Sequence, residues 1–395
     1  MKRKNPFLPF LLFLLAFFFL NTYTLSGLQF FSGSPLLPLL FWTFILFLCA
    51  ALIVAFRRIP SHGMGSFFKI VSHAFLILLV SEVIFVISLA PGDVYRLILH
   101  QPRSYSWVVF ATAMLVFSML TFVYGMVRGK YAYRVIRHKL EFDDLPAAFD
   151  GFTITQISDV HAGSFNNRKA VKRGIEMINK QQSDLFVFTG DLVNNKASEI
   201  LPWVDLFSTI RAPYGQFSVL GNHDYGDYVK WESEDNKRAN LNQLKALHKQ
   251  MGYRLLLDEH VVISKNGERI ILAGVENWGL GFGQRGDLQK ALRGVNSADF
   301  KILLSHDPTH WESEIKNSAS KIHLTLAGHT HGMQFGLEAF GIKWSPVKYR
   351  YAHWAGIKEK NGRYLNINRG FGFLGFSGRV GIWPEITVIE LRRKV

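Results

Sequence analysis

Cysteine is almost missing from this 395-residue sequence, where Cys49 stands alone. One cysteine excludes an intramolecular disulfide and a multi-cysteine metal site. Cys49 lies in an apolar run and reads as a small hydrophobe. Nothing here requires an oxidising compartment. Acidic residues are in the minority as well: 30 Asp and Glu stand against 45 Lys and Arg, a formal charge of +15. Such a balance suits nucleic acid, an anionic membrane surface or a phosphate-bearing substrate. The chain has no phosphate-cradling P-loop, no dinucleotide-binding glycine fingerprint and no nucleophilic serine elbow. Those absences argue against three common nucleotide and acyl-transfer chemistries. It also lacks a basic–aromatic track along one helix, so nucleic acid is not expected as a partner. Internal repeats, heptad arrays and low-complexity tracts are absent too.

What is present in excess is apolar sequence, crowded into the first third. Four runs stand out: Phe7 to Leu20, Leu36 to Phe56, Ile70 to Ala90 and Trp107 to Val127. The last three are each about 20 residues long, enough to cross a ~30 Å hydrocarbon core as helices. The first is shorter and follows Met-Lys-Arg-Lys, which is also how a signal peptide begins. With no small-residue cleavage site behind it, it reads as an uncleaved helix extending towards Phe31. The 21–35 loop has no Lys or Arg, and the 91–106 loop has only Arg96 and Arg103. Lys2, Arg3 and Lys4, then Arg57, Arg58 and Lys69, then Arg128, Lys130, Arg134, Arg137 and Lys139 flank the other ends. This asymmetry predicts a multi-pass protein of the inner (cytoplasmic) membrane with both termini and the whole remainder of the chain in the cytoplasm. Glu82, inside the third run, is a functional-site candidate by default; a helix–helix hydrogen bond, with His73 as partner, is the plainer alternative. Arg128 to Lys139 combines basic residues with two tyrosines and reads as an interfacial collar against membrane lipids. The expected divisions are a transmembrane region at 1–127, a basic juxtamembrane linker at 128–150 and a catalytic domain at 151–395.

From Phe152 onward, short β-rich runs alternate with helical segments. "FTITQIS", "DLFVFTG", "QFSVLGN", "DFKILLSH" and "KIHLTLAGH" read as strands. "RKAVKRGIEMINKQ" and the polar stretch from Trp231 to Met251 read as helices, and "ASEILPWVDLFSTI" as a helix broken at Pro202. "HVVISKNGERIILAGVE" is a hairpin turning at Asn266-Gly267. "RYLNINRG" and "EITVIELRR" close the chain. The order predicts an α/β domain with a parallel or mixed sheet covered by helices, whose ligands collect at the carboxyl ends of strands.

Five of those strand ends carry Asp, Asn or His. They are Asp159-Val160-His161, Gly190-Asp191, Gly221-Asn222-His223-Asp224, His306-Asp307 and Gly328-His329-Thr330-His331. Carboxylate, imidazole and amide oxygen together suit Mn²⁺, Fe or Zn²⁺. Glycines before Asp191, Asn222 and His329 would allow sharp turns at these ends. Arg369 and Arg379 flank "GFGFLGFSG" and are candidate substrate-binding residues, because a guanidinium pairs with phosphate in a bidentate fashion. The Phe-Gly run is either an apolar lip against lipid or a packed loop. His260 and His310 read as structural.

The motifs "SDVH", "TGD", "GNHD", "SHDP" and "GHTH" resemble, in order, those of the calcineurin-like metallophosphoesterases. The resemblance covers Phe152 to the end of the chain. It implies a four-layer sandwich of two mixed sheets flanked by helices, preceded here by an all-α transmembrane region of four helices. It implies two divalent metal ions, Mn²⁺ foremost with Fe or Zn²⁺ as alternatives. One ion would take Asp159, His161, Asp191 and His331; the other would take Asp191, Asn222, His306 and His329. His223 and Asp224 would form an acid or electrostatic dyad, with Asp224 orienting the His223 ring. Met333 departs from the pattern, since many relatives have glycine there. The implied activity is hydrolysis of a phosphodiester or pyrophosphate. The membrane-associated branch is similar to enzymes that cleave the pyrophosphate of UDP-2,3-diacylglucosamine in lipid A synthesis. A lipid-linked substrate is therefore expected. The alternatives are a tethered general phosphodiesterase, nucleotidase or nuclease, or a non-catalytic scaffold.

Overall fold

A computed structural model of the protein describes residues 7–62, 65–339 and 341–394, and the chain divides into two units, Met1–Gly125 and Met126–Val395. Lys2, Arg3 and Lys4 lie outside the described residues. The first unit holds α1 (Phe7–Leu28), α2 (Leu36–His62), α3 (Ser66–Leu99) and α4 (Tyr105–Val127). All four are long and apolar enough to cross a membrane. The first apolar run thus becomes a helix of 22 residues. It packs on α3, with Phe17 stacked on Phe75 at 5.6 Å and no room for a Cβ at Gly27 against Phe85 and Leu89.

The third helix is longer than its apolar run, because Pro91 does not end it. At its far end Asp93 accepts hydrogen bonds from Tyr23 (2.7 Å), Arg96 (2.8 Å) and Arg103 (2.5 and 2.9 Å), which fixes the last turns. The pairing of Glu82 with His73 is not made: Glu82 is buried with neither carboxylate oxygen hydrogen-bonded among the described residues. Nine residues along one helix put the two side chains about 13 Å apart in rise, beyond reach of a direct bond.

The second unit is built on fourteen strands among the described residues. In chain order these are β1 (Arg134–Phe142), β2 (Thr153–Ile157), β3 (Leu185–Thr189), β4 (Gln216–Val219), β5 (Arg254–Leu255), β6 (Glu259–Lys265) and β7 (Glu268–Gly274). Then come β8 (Lys301–Leu304), β9 (Leu324–Ala327), β10 (Leu337–Ala339), β11 (Ile342–Trp344), β12 (Gly356–Lys360), β13 (Arg363–Ile367) and β14 (Glu385–Arg393). Two six-stranded sheets form, in the orders β1-β14-β2-β3-β4-β5 and β12-β13-β9-β8-β7-β6, with β10 and β11 as a separate pair. Both are mixed: β2, β3 and β4 run parallel, as do β7, β8 and β9, while β14 and β6 join antiparallel to β2 and β7.

Side-chain alternation decides the layering. Leu185 and Val187 on β3, Ile302 and Leu304 on β8, and Leu324 and Leu326 on β9 share one apolar cluster between the sheets. Phe186 and Phe188 face the opposite way, onto Val171, Ile175 and Ile178 of α5 (Arg168–Asn179). Leu303 and Ala327 face a third cluster with Trp311 and Ile315. Helical material therefore covers both outer faces, giving the four layers implied by the motifs. The segment around Pro202 breaks into short turns before α6 (Val204–Phe207), and α7 (Glu234–Gln250) starts at the Ser233 cap, which accepts from Asn236 N. Asn266 and Gly267 both take positive φ (50° and 80°), as a two-residue hairpin turn requires.

The basic segment before Phe152 is not a free linker. Arg134 to Phe142 pairs with β14 as the edge strand of the first sheet. Tyr131 and Tyr133 are buried, and Tyr133 stacks on Phe371 at 4.4 Å. The tyrosines thus serve the domain core, while Arg134, Arg137 and Lys139 remain exposed on the edge.

Candidate metal centre

The carboxyl ends of β2, β3, β4, β8 and β9 bring the motif residues of both sheets to one place. Asp159, His161 and His331 form one cluster of ligand atoms, and Asp191, His306 and His329 form another. In the first, His161 Nε2 lies 3.0 Å from His331 Nε2, and His331 Nε2 lies 3.3 Å from Asp159 Oδ1. In the second, His306 Nε2 lies 3.2 Å from His329 Nδ1. A single oxygen, Asp191 Oδ2, stands 3.5 Å from His161 Nε2 and 3.3 Å from His306 Nε2. That oxygen sits where one atom can serve both clusters.

The backbone is strained to achieve this. Asp159, His161, Asp191, His329 and His331 all have φ between 46° and 71°. A left-handed conformation costs a non-glycine residue about 1–2 kcal/mol. Five such residues at one point mark a site where geometry is maintained against local preference. Gly190 supplies a turn at φ 93°, as expected. Gly328 serves close approach instead, since a Cβ there would overlap Ser158 Oγ and the Asp159 carboxylate.

The donors fit divalent cations. His306 Nδ1 faces the Thr189 carbonyl at 2.7 Å, which fixes the ring and leaves Nε2 for the cluster. Asp307 Oδ2 stands 3.4 Å behind His329 Nε2 and leaves Nδ1 facing inward. Asn222 donates through Nδ2 to the Tyr228 hydroxyl at 2.8 Å, and its buried Oδ1 has no partner among the described residues. An orphaned buried amide oxygen beside carboxylates and imidazoles suits a cation. Burial pushes the His161 imidazole down to about 3, so it is neutral and ready to ligate. Burial works the same way on His306, but the Asp191 carboxylate more than offsets it and raises that ring to about 10.

The expected dyad is corrected by the geometry. No hydrogen bond joins the Asp224 carboxylate to the His223 ring among the described residues. The Asp224 carboxylate accepts four backbone N–H bonds, from Asp191 (3.0 Å), Leu192 (2.8 Å), Val193 (3.2 Å) and Gly221 (2.8 Å). It ties the β3 loop to the β4 loop. His223 is oriented by the Asn194 carbonyl, 2.8 Å from Nδ1, and its ring lies 5.0 Å from that of His161.

The two expected phosphate-binding arginines are also corrected. Arg369 is held by Glu338 (2.7 and 3.0 Å) and Glu385 (2.5 Å). Arg379 is fully buried; it donates to the Gly370 and Gly372 carbonyls and lies 3.2 Å from His331 Nδ1, behind the cluster. Phe371 and Phe373 pack in the core, so the Phe-Gly run is a packed loop at its start. His310 is buried between Ser305 and a stacked Trp278, and His260 faces the Ala291 carbonyl. Arg350 is an exposed cation that lies 4.9 Å over Phe282, whose ring in turn lies 4.6 Å from His329. No motif in the sequence marks Arg350; only the fold brings it there.

Residues 152–333 match the family described as Calcineurin-like phosphoesterase, and residues 5–130 match that described as Probable Calcineurin-like phosphoesterase, transmembrane domain. An uncharacterized metallophosphoesterase of Bacillus subtilis is 29% identical over 68% of this chain and 90% of its own length. A transmembrane protein with metallophosphoesterase domain from Danio rerio is 26% identical over 71% of this chain; the match spans 62% of that protein. An uncharacterized metallophosphoesterase of Campylobacter jejuni is 24% identical over 89% of this chain and 88% of its own length. The chain therefore joins a four-helix transmembrane domain to a calcineurin-like metallophosphoesterase domain, that of a metal-dependent phosphoester hydrolase.

Proposed function

We propose that the protein hydrolyses a phosphodiester or pyrophosphate carried by a membrane lipid, with a UDP-diacylglucosamine-like compound as the type of substrate. The observation that carries this reading is the character of the exposed residues close to the ligands, in sequence or in space. Met333, two residues beyond His331, is 59% exposed; Tyr228 beside His223 is 49% exposed; and Arg350 stands above Phe282. Exposed apolar groups and a guanidinium near the ligand residues suit an amphiphile whose phosphate enters and whose chains stay outside. The four helices support the same reading, because each buried CH₂ of an acyl chain contributes about 0.8 kcal/mol and keeps such a substrate in the bilayer.

In this reading one ion is held by Asp159, His161, Asp191 and His331, and the second by Asp191, Asn222, His306 and His329, with Mn²⁺ as the first choice. When bound, the ions supply charge neutralisation at phosphorus and an activated water. Asp191 fixes the spacing of the two ligand sets through one oxygen. His223, its Nδ1 engaged with Asn194, presents Nε2 and donates a proton to the leaving-group oxygen. Arg350 pairs with a phosphate oxygen. Asp224 holds the two ligand-bearing loops in register. In this reading the catalytic unit faces the cytoplasm, the side the loop charges favour; an active alkaline phosphatase fused at the C-terminus, reporting an outside location, would overturn that orientation.

The test uses the full-length protein in mixed micelles with Mn²⁺. A diacylated sugar nucleotide and its deacylated analogue are compared at equal concentration. A higher kcat/KM for the diacylated compound is expected. Equal values would point to a tethered general phosphodiesterase instead.

A further inference from the structure

The helical unit contains a second cluster of polar groups that phosphoester hydrolysis does not use. Asn21 and Thr24 on α1, and Ser81 and Glu82 on α3, are each at most 1% exposed. Five of their oxygens have no hydrogen-bond partner among the described residues: Asn21 Oδ1, Thr24 Oγ1, Ser81 Oγ and both oxygens of Glu82. Asn21 is oriented, since its Nδ2 donates to the Phe17 carbonyl at 2.8 Å and leaves Oδ1 free.

Helical register places these groups at one level. Phe17, Asn21, Thr24 and Leu28 recur at three- and four-residue spacing and share a face of α1; Phe75, Leu78, Glu82, Phe85 and Leu89 do the same on α3. Phe17 stacks on Phe75 below, and Gly27 closes on Phe85 and Leu89 above. Asn21 and Thr24 therefore lie opposite the Leu78–Glu82 stretch, with Ser81 beside it. On α4, Val108 and Ala111 pack with Phe85 and Leu89, and Leu115 packs on the same cluster. One turn further on, Ser118 is buried and donates to the Leu115 carbonyl at 2.8 Å, which keeps its lone pairs available at that level.

A carboxylate buried without a partner is expensive in a bilayer, and intramembrane ionisable groups mark sites for that reason. The contrast with Asp93 is instructive, because that carboxylate is matched by two arginines and a tyrosine. Among the described residues no cationic side chain bonds Glu82, and the unpartnered atoms of these four residues are all oxygens. An all-oxygen set selects a hard cation. With one negative charge, a monovalent ion leaves the site neutral, whereas Ca²⁺ would leave a buried net charge and demands six to eight ligands.

We propose that Asn21, Thr24, Ser81 and Glu82 form a binding site for a dehydrated monovalent cation of the sodium type, which joins α1 to α3 within the membrane. The probe is ²²Na⁺, measured by equilibrium binding to the full-length protein in detergent with choline chloride holding ionic strength constant. Saturable binding of one ion per chain is expected. Glu82→Gln should abolish it, and the isosteric Thr24→Val should weaken it by about tenfold or more, the effect of losing one ligand worth about 1.4 kcal/mol. Asp191→Ala, which disrupts the other candidate site, should leave it unchanged. Absence of saturable binding to the wild-type protein, as for a cluster that holds only water, would overturn the proposal. So would retention of wild-type affinity in Thr24→Val, a variant that keeps the carboxylate and the helix shape.

Discussion

Asp224→Asn separates two accounts of the same residue. If Asp224 worked by orienting His223, the substitution would lower turnover and leave stability and metal content alone. The structure assigns it to four N–H groups on two loops. An isosteric amide can accept from the pair of donors at one oxygen, but its NH₂ group faces the other pair as donor against donor. Hydrogen bonds to a charged acceptor contribute about 1.5–3 kcal/mol each, and a buried unsatisfied donor costs about 1–3 kcal/mol. Non-additivity within one carboxylate brings the total to roughly 3–5 kcal/mol, the range for breaking a buried charged network. At about 2–4 °C per kcal/mol for a domain of this size, the Tm should fall by about 6–20 °C. Because the Gly221–Asp191 tether carries Asp191 and Asn222, bound metal should fall as well. Thermal unfolding and elemental analysis of the purified full-length variant measure both. An unchanged Tm with two ions bound, and only kcat reduced, would refute the reasoning and restore the dyad.

Further outcomes follow from the same geometry. His223→Ala should keep both ions by elemental analysis and lose about 10²–10⁴-fold in kcat, since it carries a proton and binds no ion. Arg350→Ala should raise KM for a phosphoester with little change in Tm, while Arg369→Ala should lower Tm by leaving Glu385 buried and unpaired; the reverse pattern would reinstate Arg369 at the substrate. In the metal-free protein His306 carries a proton that Asp191 holds to about pH 10, above the ~6.5 of an unfolded histidine. That pairing stabilises the metal-free protein fully below about pH 6.5 and is lost as pH rises towards 10. Metal loading at pH 7.5 should accordingly release about one proton from His306, detectable by calorimetry in buffers of different ionisation enthalpy and absent in His306→Ala.

The sequence disclosed most where one residue type meets one constraint. Strands such as "DLFVFT" and "KIHLTLA" are short, buried on both faces and end in residues that a core would not tolerate, so element and site are legible together. Where a role depends on distant partners, the sequence is silent. Arg369 looks like a phosphate clamp until Glu338 and Glu385, 31 and 16 residues away in sequence, close on it. Asp224 sits beside His223 in "GNHD", yet the tight turn at 222–225 aims its carboxylate back at the backbone. The edge strand β1 was obscured by its own basic residues, which keep a sheet edge soluble and equally resemble a membrane-proximal collar. Arg350 follows no motif at all.

Asp191 Oδ2 stands within 3.5 Å of a histidine from each ligand set, so one oxygen can join the two. Metal stoichiometry of the full-length protein and of Asp191→Ala, each reconstituted with Mn²⁺ and assayed on a phosphodiester, tests it most directly. Two ions per wild-type chain are expected, with bound metal lowered and hydrolysis abolished in the variant, whereas two ions and wild-type turnover in Asp191→Ala would contradict the account.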